Sequence, residues 1–248
     1  MLYFLYEWLA RSQEHVPMLN LLKYLTFRSG MAMLTAYIVA VAMGSRFIRW
    51  MKTKQGKGQP IRTDGIARHV TEKAGTPTMG GFMILAGLFV GALLWADLRN
   101  VHVWVVLLVT GSYGVLGFMD DYAKVTKQTT AGLSSVQKLI AQFIVAIAAT
   151  VILILFAPKS PMTPGMETSV VFPIFKALVV NLGWFYVVFA AITIAGFSNA
   201  VNLTDGLDGL AIVPVMFAAS TFGLIAYLVG NYKFADYLNL HFAPGVGE

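Results

Sequence analysis

Cysteine is absent from this sequence of 248 residues, and charged residues make up only 12% of it. Without cysteine the chain can form no disulfide bond, no thiolate zinc site and no iron–sulfur cluster. Hydrophobic residues make up 57% of the chain, and the mean hydropathy of +0.69 lies far above that of ordinary soluble domains. The composition therefore predicts a membrane protein.

Several chemical signatures are also missing. The sequence has no Walker loop, no dinucleotide fingerprint and no nucleophilic serine motif, so hydride transfer and ATP hydrolysis are not predicted. The start, MLYFLYEWLARSQEH, has neither a basic beginning nor a small-residue cleavage site, which favours an interfacial helix or a lead-in to the first span over a removable signal peptide. The histidines lack metal-ligand spacing; they are His15, His69, His102 and His241.

The apolar residues come in blocks of about twenty, the length that a helix needs to cross roughly 30 Å of hydrocarbon. The blocks are apolar on every face, unlike the alternating strands of a membrane barrel. We predict an all-α polytopic transmembrane bundle that forms a single integral membrane domain over 1–248, with an exposed loop or small hairpin in APKSPMTPGMETSVVFP. The predicted spans are about 25–48, 79–97, 101–119, 136–157, 178–198 and 209–229.

Basic residues set the predicted orientation. Eleven of the eighteen Lys and Arg residues lie at the end of the first span, in the loops after the first and third spans, or at the start of the fourth span. The positive-inside rule therefore places the first and third loops in the cytoplasm. By alternation the fifth loop is cytoplasmic too. The three unusual polar motifs, EKAGTPTMGG, GFMDDYAK and NAVNLTDGLDGLA, all fall on this face.

In GFMDDYAK, two adjacent carboxylates stand where an apolar span meets water. Adjacent helical residues point about 100° apart, so Asp120 and Asp121 are expected to have different roles, one binding a metal while the other acts as a base. Lys124 follows Asp120 by four residues, a spacing that favours a helical ion pair. The alternative is a solvated helix end with no further function.

In NAVNLTDGLDGLA, Asn199, Asn202, Asp205 and Asp208 recur at every third position. On a helix they would form a slowly winding polar ribbon, and oxygen ligands of this kind suit a hard cation such as Mg²⁺. The alternative is helix capping, in which Asp205 or Asp208 caps the sixth span. Capping explains one carboxylate and leaves the other polar groups unexplained.

In GTPTMGG, Thr76 before Pro77 resembles a helix cap followed by proline in the first turn. A helix start binds anions through free N–H groups, and Gly80 and Gly81 permit a close approach. Lys73 lies just upstream. A plain helix start with glycines for helix packing is the alternative. Together the three motifs favour Mg²⁺-dependent phosphoryl chemistry at a membrane surface, with a lipid as one substrate.

The same residues resemble a known family. TPTMGG, GFMDDYAK and NAVNLTDGLDGLA resemble the motifs of the polyprenyl-phosphate N-acetylhexosamine-1-phosphate transferases, most closely the branch that acts in bacterial peptidoglycan synthesis. The resemblance implies a bacterial inner-membrane enzyme that works at the cytoplasmic face with Mg²⁺. It would transfer phospho-N-acetylmuramoyl-pentapeptide from UDP to undecaprenyl phosphate, releasing UMP. A homodimer is also implied, and nucleic acid is not an expected partner.

The resemblance also implies roles for individual residues. Asp120 would deprotonate the lipid phosphate, Asp121 would lie beside the metal and the diphosphate, and Asp208 would complete the catalytic set. Asp121 and Asp205 would contact the metal. Substrate-binding positions would be Lys73, Thr78, Lys124, Lys138, Asn199, Asn202 and Asp205.

This sequence departs from the family pattern in its length. The family has ten spans and this chain has six predicted ones, so we expect a truncated form whose main metal ligand and histidine loop lie beyond residue 248. Three alternatives stay open: a sister enzyme that transfers N-acetylglucosamine 1-phosphate, a cation transporter and a non-catalytic membrane scaffold. A transporter would carry charges near mid-span, whereas these lie at span ends.

Overall fold

The apolar blocks fold as helices because backbone N–H and C=O groups in hydrocarbon must bond to one another, and a helix satisfies them locally. The computed structural model describes residues 1–11, 17–55, 78–129, 132–172, 175, 178–205 and 209–248. Its helices, in chain order, are α1 (Leu2–Arg11), a 3₁₀ helix (Pro17–Lys23), α2 (Leu25–Gln55), α3 (Gly81–Trp95), α4 (Val101–Lys127), α5 (Ser135–Phe156), α6 (Phe185–Thr204), α7 (Ile212–Val229) and α8 (Tyr232–Tyr237).

Five of these helices, α2, α4, α5, α6 and α7, are long and apolar enough to cross a membrane. The chain is therefore a multi-pass membrane protein with an all-α fold, as predicted. The second predicted span is the exception, because α3 has only 15 residues. At about 1.5 Å per residue it is about 22 Å long, shorter than roughly 30 Å of hydrocarbon.

Two helices continue beyond their predicted ends. α2 runs past residue 48 to Gln55, and α4 runs past residue 119 to Lys127. Both extensions are rich in polar residues. Lys, Arg and Gln are good helix formers, and their polar ends can reach water while the backbone stays helical. As a result the acidic pair after the third span lies on a helix and has fixed directions.

The predicted hairpin is present. Strand β1 (Ser169–Val171) pairs antiparallel with β2 (Val179–Asn181), with Val170 opposite Val180. The Asn181 side-chain oxygen accepts from the Thr168 hydroxyl and from the Gly183 N–H, each at 2.8 Å. The prediction that the fifth span begins near residue 178 was therefore wrong, since the helix starts only at Phe185.

The chain divides into two compact units, which are described separately. The first comprises Met1–Leu98 and Leu107–Ala141, and the second comprises Arg99–Val106 and Gln142–Glu248. The single integral membrane domain expected for 1–248 stays a prediction.

In the first unit, α2 and α3 pack with their backbones unusually close. A Cβ atom at Gly87 would collide with the carbonyl oxygen of Ala36, and one at Gly91 would lie 2.6 Å from the carbonyl oxygen of Ala32. Only glycine permits this approach. Close packing of this kind stabilises helix association inside lipid, where the hydrophobic effect does not drive it. At the end of α3, the Trp95 indole N–H donates to the Thr35 hydroxyl at 2.9 Å.

The amino-terminal helix α1 is tied to the same end of α3. The Met1 ammonium donates to the carbonyl oxygens of Leu93 and Leu94 at 2.9 and 3.2 Å. The guanidinium of Arg28 in α2 lies 4.4 Å from the centre of the Tyr3 ring, a cation–π contact. α1 is helical, as the sequence predicted, and its interfacial position in a membrane stays a prediction.

In the second unit, the last residues pack back on the loop before α4. The Asn100 amide donates to the carbonyl oxygen of Gly245 at 2.6 Å, and its oxygen accepts from the His102 N–H at 2.9 Å. Gly245 has φ +80°, a left-handed conformation that glycine adopts without cost. These bonds satisfy backbone groups that would otherwise lack partners at the end of a membrane span.

The α2–α3 contact predicts the effect of one methyl group. Gly91→Ala should lower the free energy of unfolding by about 1–3 kcal/mol, because the added Cβ must push the two helices apart. Gly30→Ala in α2 is the matched control, since a Cβ there meets nothing within 4 Å and alanine favours helix by about 1 kcal/mol. Unfolding in detergent would measure both, and equal effects would contradict the close packing.

Candidate functional site

The acidic pair lies on the last turns of α4, within the first unit. Because Asp120 and Asp121 are adjacent on a helix, their side chains diverge by about 100° and meet different partners. Asp120 faces Lys138 near the start of α5, whereas Asp121 faces Thr78. The two carboxylates thus have different partners apart from Lys124, and the separate roles expected for them stay a prediction.

Asp120 is the more enclosed carboxylate, with 13% of its side chain exposed. Its Oδ2 lies 2.7 Å from the Lys124 ammonium and 3.7 Å from the Lys138 ammonium. Its Oδ1 accepts from the Leu133 N–H at 2.9 Å. The ion pair predicted between Asp120 and Lys124 is present, and two cations together with one N–H stabilise the negative charge.

The backbone before α5 wraps closely around Asp120. A Cβ atom at Gly132 would collide with the Asp120 carboxylate and lie 3.0 Å from the Asp120 carbonyl oxygen. Glycine at this position therefore lets the backbone approach the acid, and Leu133 can then donate to it. Sequence reasoning missed both residues, because neither has a side chain with a chemical role.

Asp121 is more open, with 30% of its side chain exposed. Its Oδ2 accepts from the Thr78 hydroxyl at 2.8 Å, and its Oδ1 lies 3.5 Å from the Lys124 ammonium. Lys124 thus bridges the two acids from one helical turn away. Of the two carboxylates, Asp121 has more room to contact a ligand or a cation.

Thr78 is itself held by a residue that the sequence did not single out. The Gln55 side-chain oxygen accepts from the Thr78 N–H at 3.0 Å, and the Gln55 side-chain nitrogen donates to the Thr78 carbonyl oxygen at 3.4 Å. Gln55 is the last residue of α2. No sequence pattern relates it to Thr78, so only the tertiary structure reveals the pair.

The polar cluster of the first unit therefore consists of Asp120, Asp121, Lys124, Lys138 and Thr78. The two carboxylates and the two ammonium groups balance in formal charge. A phosphate entering the cluster would find two cations and one hydroxyl within reach of the acids. Three of these residues, Thr78, Lys124 and Lys138, were expected to bind substrate only through the family resemblance, whereas Asp120 was expected to act as the base and Asp121 to lie beside the metal.

The second predicted span, about 79–97, corresponds to α3, which begins at Gly81 with Gly80 at its N-cap. Met79 has φ +71°, outside the right-handed helical region, so α3 does not extend back through Met79. Thr76, Pro77 and Lys73 lie outside the described residues.

The NAVNLTDGLDGLA motif lies in the second unit, and the structure contradicts its reading as one helical ribbon. Asn199 and Asn202 occupy the end of α6, but Asp205 is the C-cap residue with φ −78° and ψ 52°, outside the helical region. Gly209 has φ +83°, and Asp208 lies outside the described residues. Ala211 is at the N-cap of α7 without a side-chain bond, so Asp205 does not cap that helix.

Asn199 differs from its neighbours in the motif. Its side-chain nitrogen donates to the Gln142 side-chain oxygen at 2.7 Å and to the Ala195 carbonyl oxygen at 2.8 Å. Both N–H groups are therefore committed to tying α6 to α5, and Gln142 is only 4% exposed. Asn202 and Asp205, in contrast, are exposed. For the predicted binding of substrate, Asn199 therefore offers its side-chain oxygen and not its side-chain nitrogen.

A divalent cation finds only part of a ligand set here. Among the described residues, no group of three or more His, Asp and Glu residues could hold a metal ion. Mg²⁺ is commonly bound through one or two protein carboxylates, with waters and phosphate oxygens completing its shell. The half-open carboxylate of Asp121 fits that chemistry, and so does the exposed one of Asp205.

Comparisons with known proteins agree on one family. Residues 103–246 match the model described as glycosyl transferase family 4, and residues 73–85 match phospho-N-acetylmuramoyl-pentapeptide-transferase signature 1. Proteins named phospho-N-acetylmuramoyl-pentapeptide-transferase are 95% identical in Caulobacter vibrioides (strain NA1000 / CB15N), 86% in Caulobacter sp. (strain K31) and 65% in Phenylobacterium zucineum (strain HLK1). Each alignment covers 100% of this chain and 67% of the relative.

The contact between Gly132 and Asp120 predicts a change in hydrogen exchange. In Gly132→Ala the added Cβ should lift the backbone from the carboxylate, so the Leu133 amide loses its acceptor and should exchange about tenfold faster. Gly117→Ala, on α4 itself, is the control because a Cβ there meets nothing within 4 Å. Exchange measured by mass spectrometry over residues 128–135 would test this, and equal rates in both variants would contradict it.

Proposed function

The chain belongs to the phospho-N-acetylmuramoyl-pentapeptide-transferases of glycosyl transferase family 4, and from this premise we propose that it forms the first lipid-linked precursor of peptidoglycan, lipid I. The donor is UDP-N-acetylmuramoyl-pentapeptide and the acceptor is undecaprenyl phosphate. An oxygen of the lipid phosphate attacks the phosphorus atom that carries the sugar. A new P–O bond forms, the bond to the bridging oxygen breaks, and UMP leaves with that oxygen.

The observation that carries this proposal is the polar cluster of the first unit. Asp120, Asp121 and Lys124 lie near the end of an apolar helix and Lys138 near the start of the next, so the cluster is placed for a lipid phosphate at the membrane surface. The four charged residues of the cluster fall within the region that matches the family model, and Thr78 falls within the signature. The signature also favours the muramoyl donor over the N-acetylglucosamine donor of the sister enzymes.

The two lysines would take up the negative charge of the bound phosphates. Lys124 and Lys138 both contact Asp120. When phosphate oxygens enter, the ammonium groups are shared with them, and the contact that stabilises ionised Asp120 weakens. Asp120 then becomes a better base for the proton of the lipid phosphate. Phosphoryl transfer depends mainly on such positioning and charge neutralisation.

Charge balance supports a divalent cation. The cluster is formally neutral before substrates bind, whereas a phosphate monoester alone adds roughly −1.5 to −2. Mg²⁺ would offset this charge and polarise the reacting phosphate oxygens. On the family resemblance, we propose that Asp121 and Asp205 contact this cation. Asp205 lies at the C-terminal end of α6, where the helix dipole disfavours a carboxylate by about 0.3–1 kcal/mol and where a cation would remove that cost.

The remaining assignments rest on the family resemblance and the sequence. Asn202, Asp205 and Asp208 are proposed to bind the nucleotide side of the donor, and Lys73 its phosphates. The distribution of Lys and Arg supports a cytoplasmic site in the bacterial inner membrane. A homodimer is proposed on the resemblance alone.

Activity should be measured in a completed protein, in which these 248 residues are joined to the part of the Caulobacter vibrioides relative that they do not cover. With undecaprenyl phosphate and Mg²⁺ in detergent, UMP should be released from UDP-N-acetylmuramoyl-pentapeptide and not from UDP-N-acetylglucosamine. EDTA should abolish the release. UMP release from UDP-N-acetylglucosamine alone would identify the protein as the sister enzyme. No UMP release from either donor would contradict the proposed activity.

Substitution of the acids tests their assignment. In the completed protein, Asp120→Asn and Asp208→Asn should each lower the transfer rate by at least about 100-fold, the usual scale for losing a general base or an essential charge. Both variants should still insert into membranes. Asp236→Asn is the matched control, because Asp236 is exposed on α8, outside the polar cluster. Near-normal UMP release from both active-site variants would overturn the site.

A further inference from the structure

Among the described residues, Gln55 makes a two-point contact that the proposed mechanism does not use. Its carboxamide pairs with both backbone groups of Thr78, accepting from the N–H at 3.0 Å and donating to the carbonyl oxygen at 3.4 Å. A planar amide that binds two groups of one residue fixes the orientation of that residue as well as its position. Gln55 thereby joins the end of α2 to the residues before α3.

Thr78 needs such a support because it belongs to no regular element. It precedes Met79, whose φ of +71° is uncommon and unfavourable for a residue with a side chain. Only after that residue does the backbone bond to α3, beginning with Phe82 N–H to the Met79 carbonyl oxygen at 3.1 Å. The backbone N–H and carbonyl groups of Thr78 bond instead to the Gln55 side chain, at the end of α2.

The Thr78 hydroxyl carries this orientation to the reactive cluster. A threonine hydroxyl has its direction set by the backbone and by a stiff χ1 torsion. Here the hydroxyl donates to Asp121 Oδ2 at 2.8 Å. This leaves Asp121 Oδ1, which lies 3.5 Å from Lys124, as the more weakly held oxygen. Thr78 thus connects Gln55, which bonds to its backbone, with Asp121, which bonds to its hydroxyl.

We propose that Gln55 is a positioning residue for Asp121, acting through Thr78. This inference rests on the proposed function, since it assumes that the orientation of Asp121 limits the rate of transfer. Gln55 does not touch substrate in this scheme. It lies at the end of a basic helix segment, next to Lys54, where the sequence alone suggests only a solvated side chain.

The test compares four variants of the completed protein. Gln55→Met keeps the length of the side chain and removes both hydrogen bonds. Gln55→Glu keeps the acceptor for the Thr78 N–H and loses the longer of the two bonds. Thr78→Val removes the hydroxyl that reaches Asp121, and the fourth variant combines Gln55→Met with Thr78→Val. Gln137→Met is the matched control, because Gln137 is an exposed glutamine near the start of α5.

For each variant, kcat and KM for the UDP donor would be measured by UMP release, together with the melting temperature. Gln55→Met and Thr78→Val should each lower kcat by about tenfold, and in Gln55→Met, which alters no predicted substrate contact, KM should change by less than about twofold. Gln55→Glu should recover most of the kcat. The double variant should be no slower than Thr78→Val, because two residues that act through one path are not additive. The control should match the unmodified protein.

The outcomes separate this inference from the proposed function. An inactive unmodified protein would contradict the function itself. An active one in which Gln55→Met has normal kcat would overturn the positioning role alone. Losses that multiply in the double variant would also overturn it, because they mean that Gln55 acts independently of Thr78. If Gln55→Met melts too early to assay, loss of kcat in the stable Gln55→Glu variant would count against the role.

Discussion

A negative charge can stay at the end of an apolar helix only if other charges or hydrogen-bond donors surround it, and Asp120 shows how this chain meets that requirement. The carboxylate is nearly enclosed, and its partners come from its own helix, from the loop after it and from α5. The same contacts determine where Lys138 lies and require glycine at position 132. The arrangement of the first unit at this end follows from the need to stabilise one carboxylate.

This constraint links stability to chemistry. Groups that stabilise a buried carboxylate, two ammonium ions and a backbone N–H, are also groups that bind phosphate oxygens. The cluster is formally neutral without a ligand. It can therefore bind an anion when the Lys124 and Lys138 ammonium groups exchange their contacts with Asp120 for contacts with the ligand. Asp121, which is less enclosed and held by Thr78, keeps space for a ligand on one side. The two acids therefore differ in exposure and in their hydrogen-bond partners.

Polar side chains of the NAVNLTDGLDGLA motif, in the second unit, differ in whether they contact other parts of the protein. Asn199 donates both of its N–H groups to protein oxygens and ties α6 to α5 through Gln142. Asn202 and Asp205, one turn further along, are exposed. The regular spacing of three residues thus covers one side chain that joins two helices and two that are exposed. The spacing could not distinguish them, because α6 ends at Thr204 and Asp205 leaves the helical path.

Hydrophobic block length and helical spacing are local properties, so the sequence alone was enough to predict the membrane class, six apolar helices near their observed positions, the hairpin and the Asp120–Lys124 ion pair. Its motifs were also specific enough to indicate the family. The short α3 packed closely on α2, the enclosure of Asp120 by Gly132 and Leu133, and the support of Thr78 by Gln55 became visible only in the folded chain. These contacts join residues far apart in the chain, and their partners are mostly backbone atoms, which every residue possesses and no sequence pattern can single out.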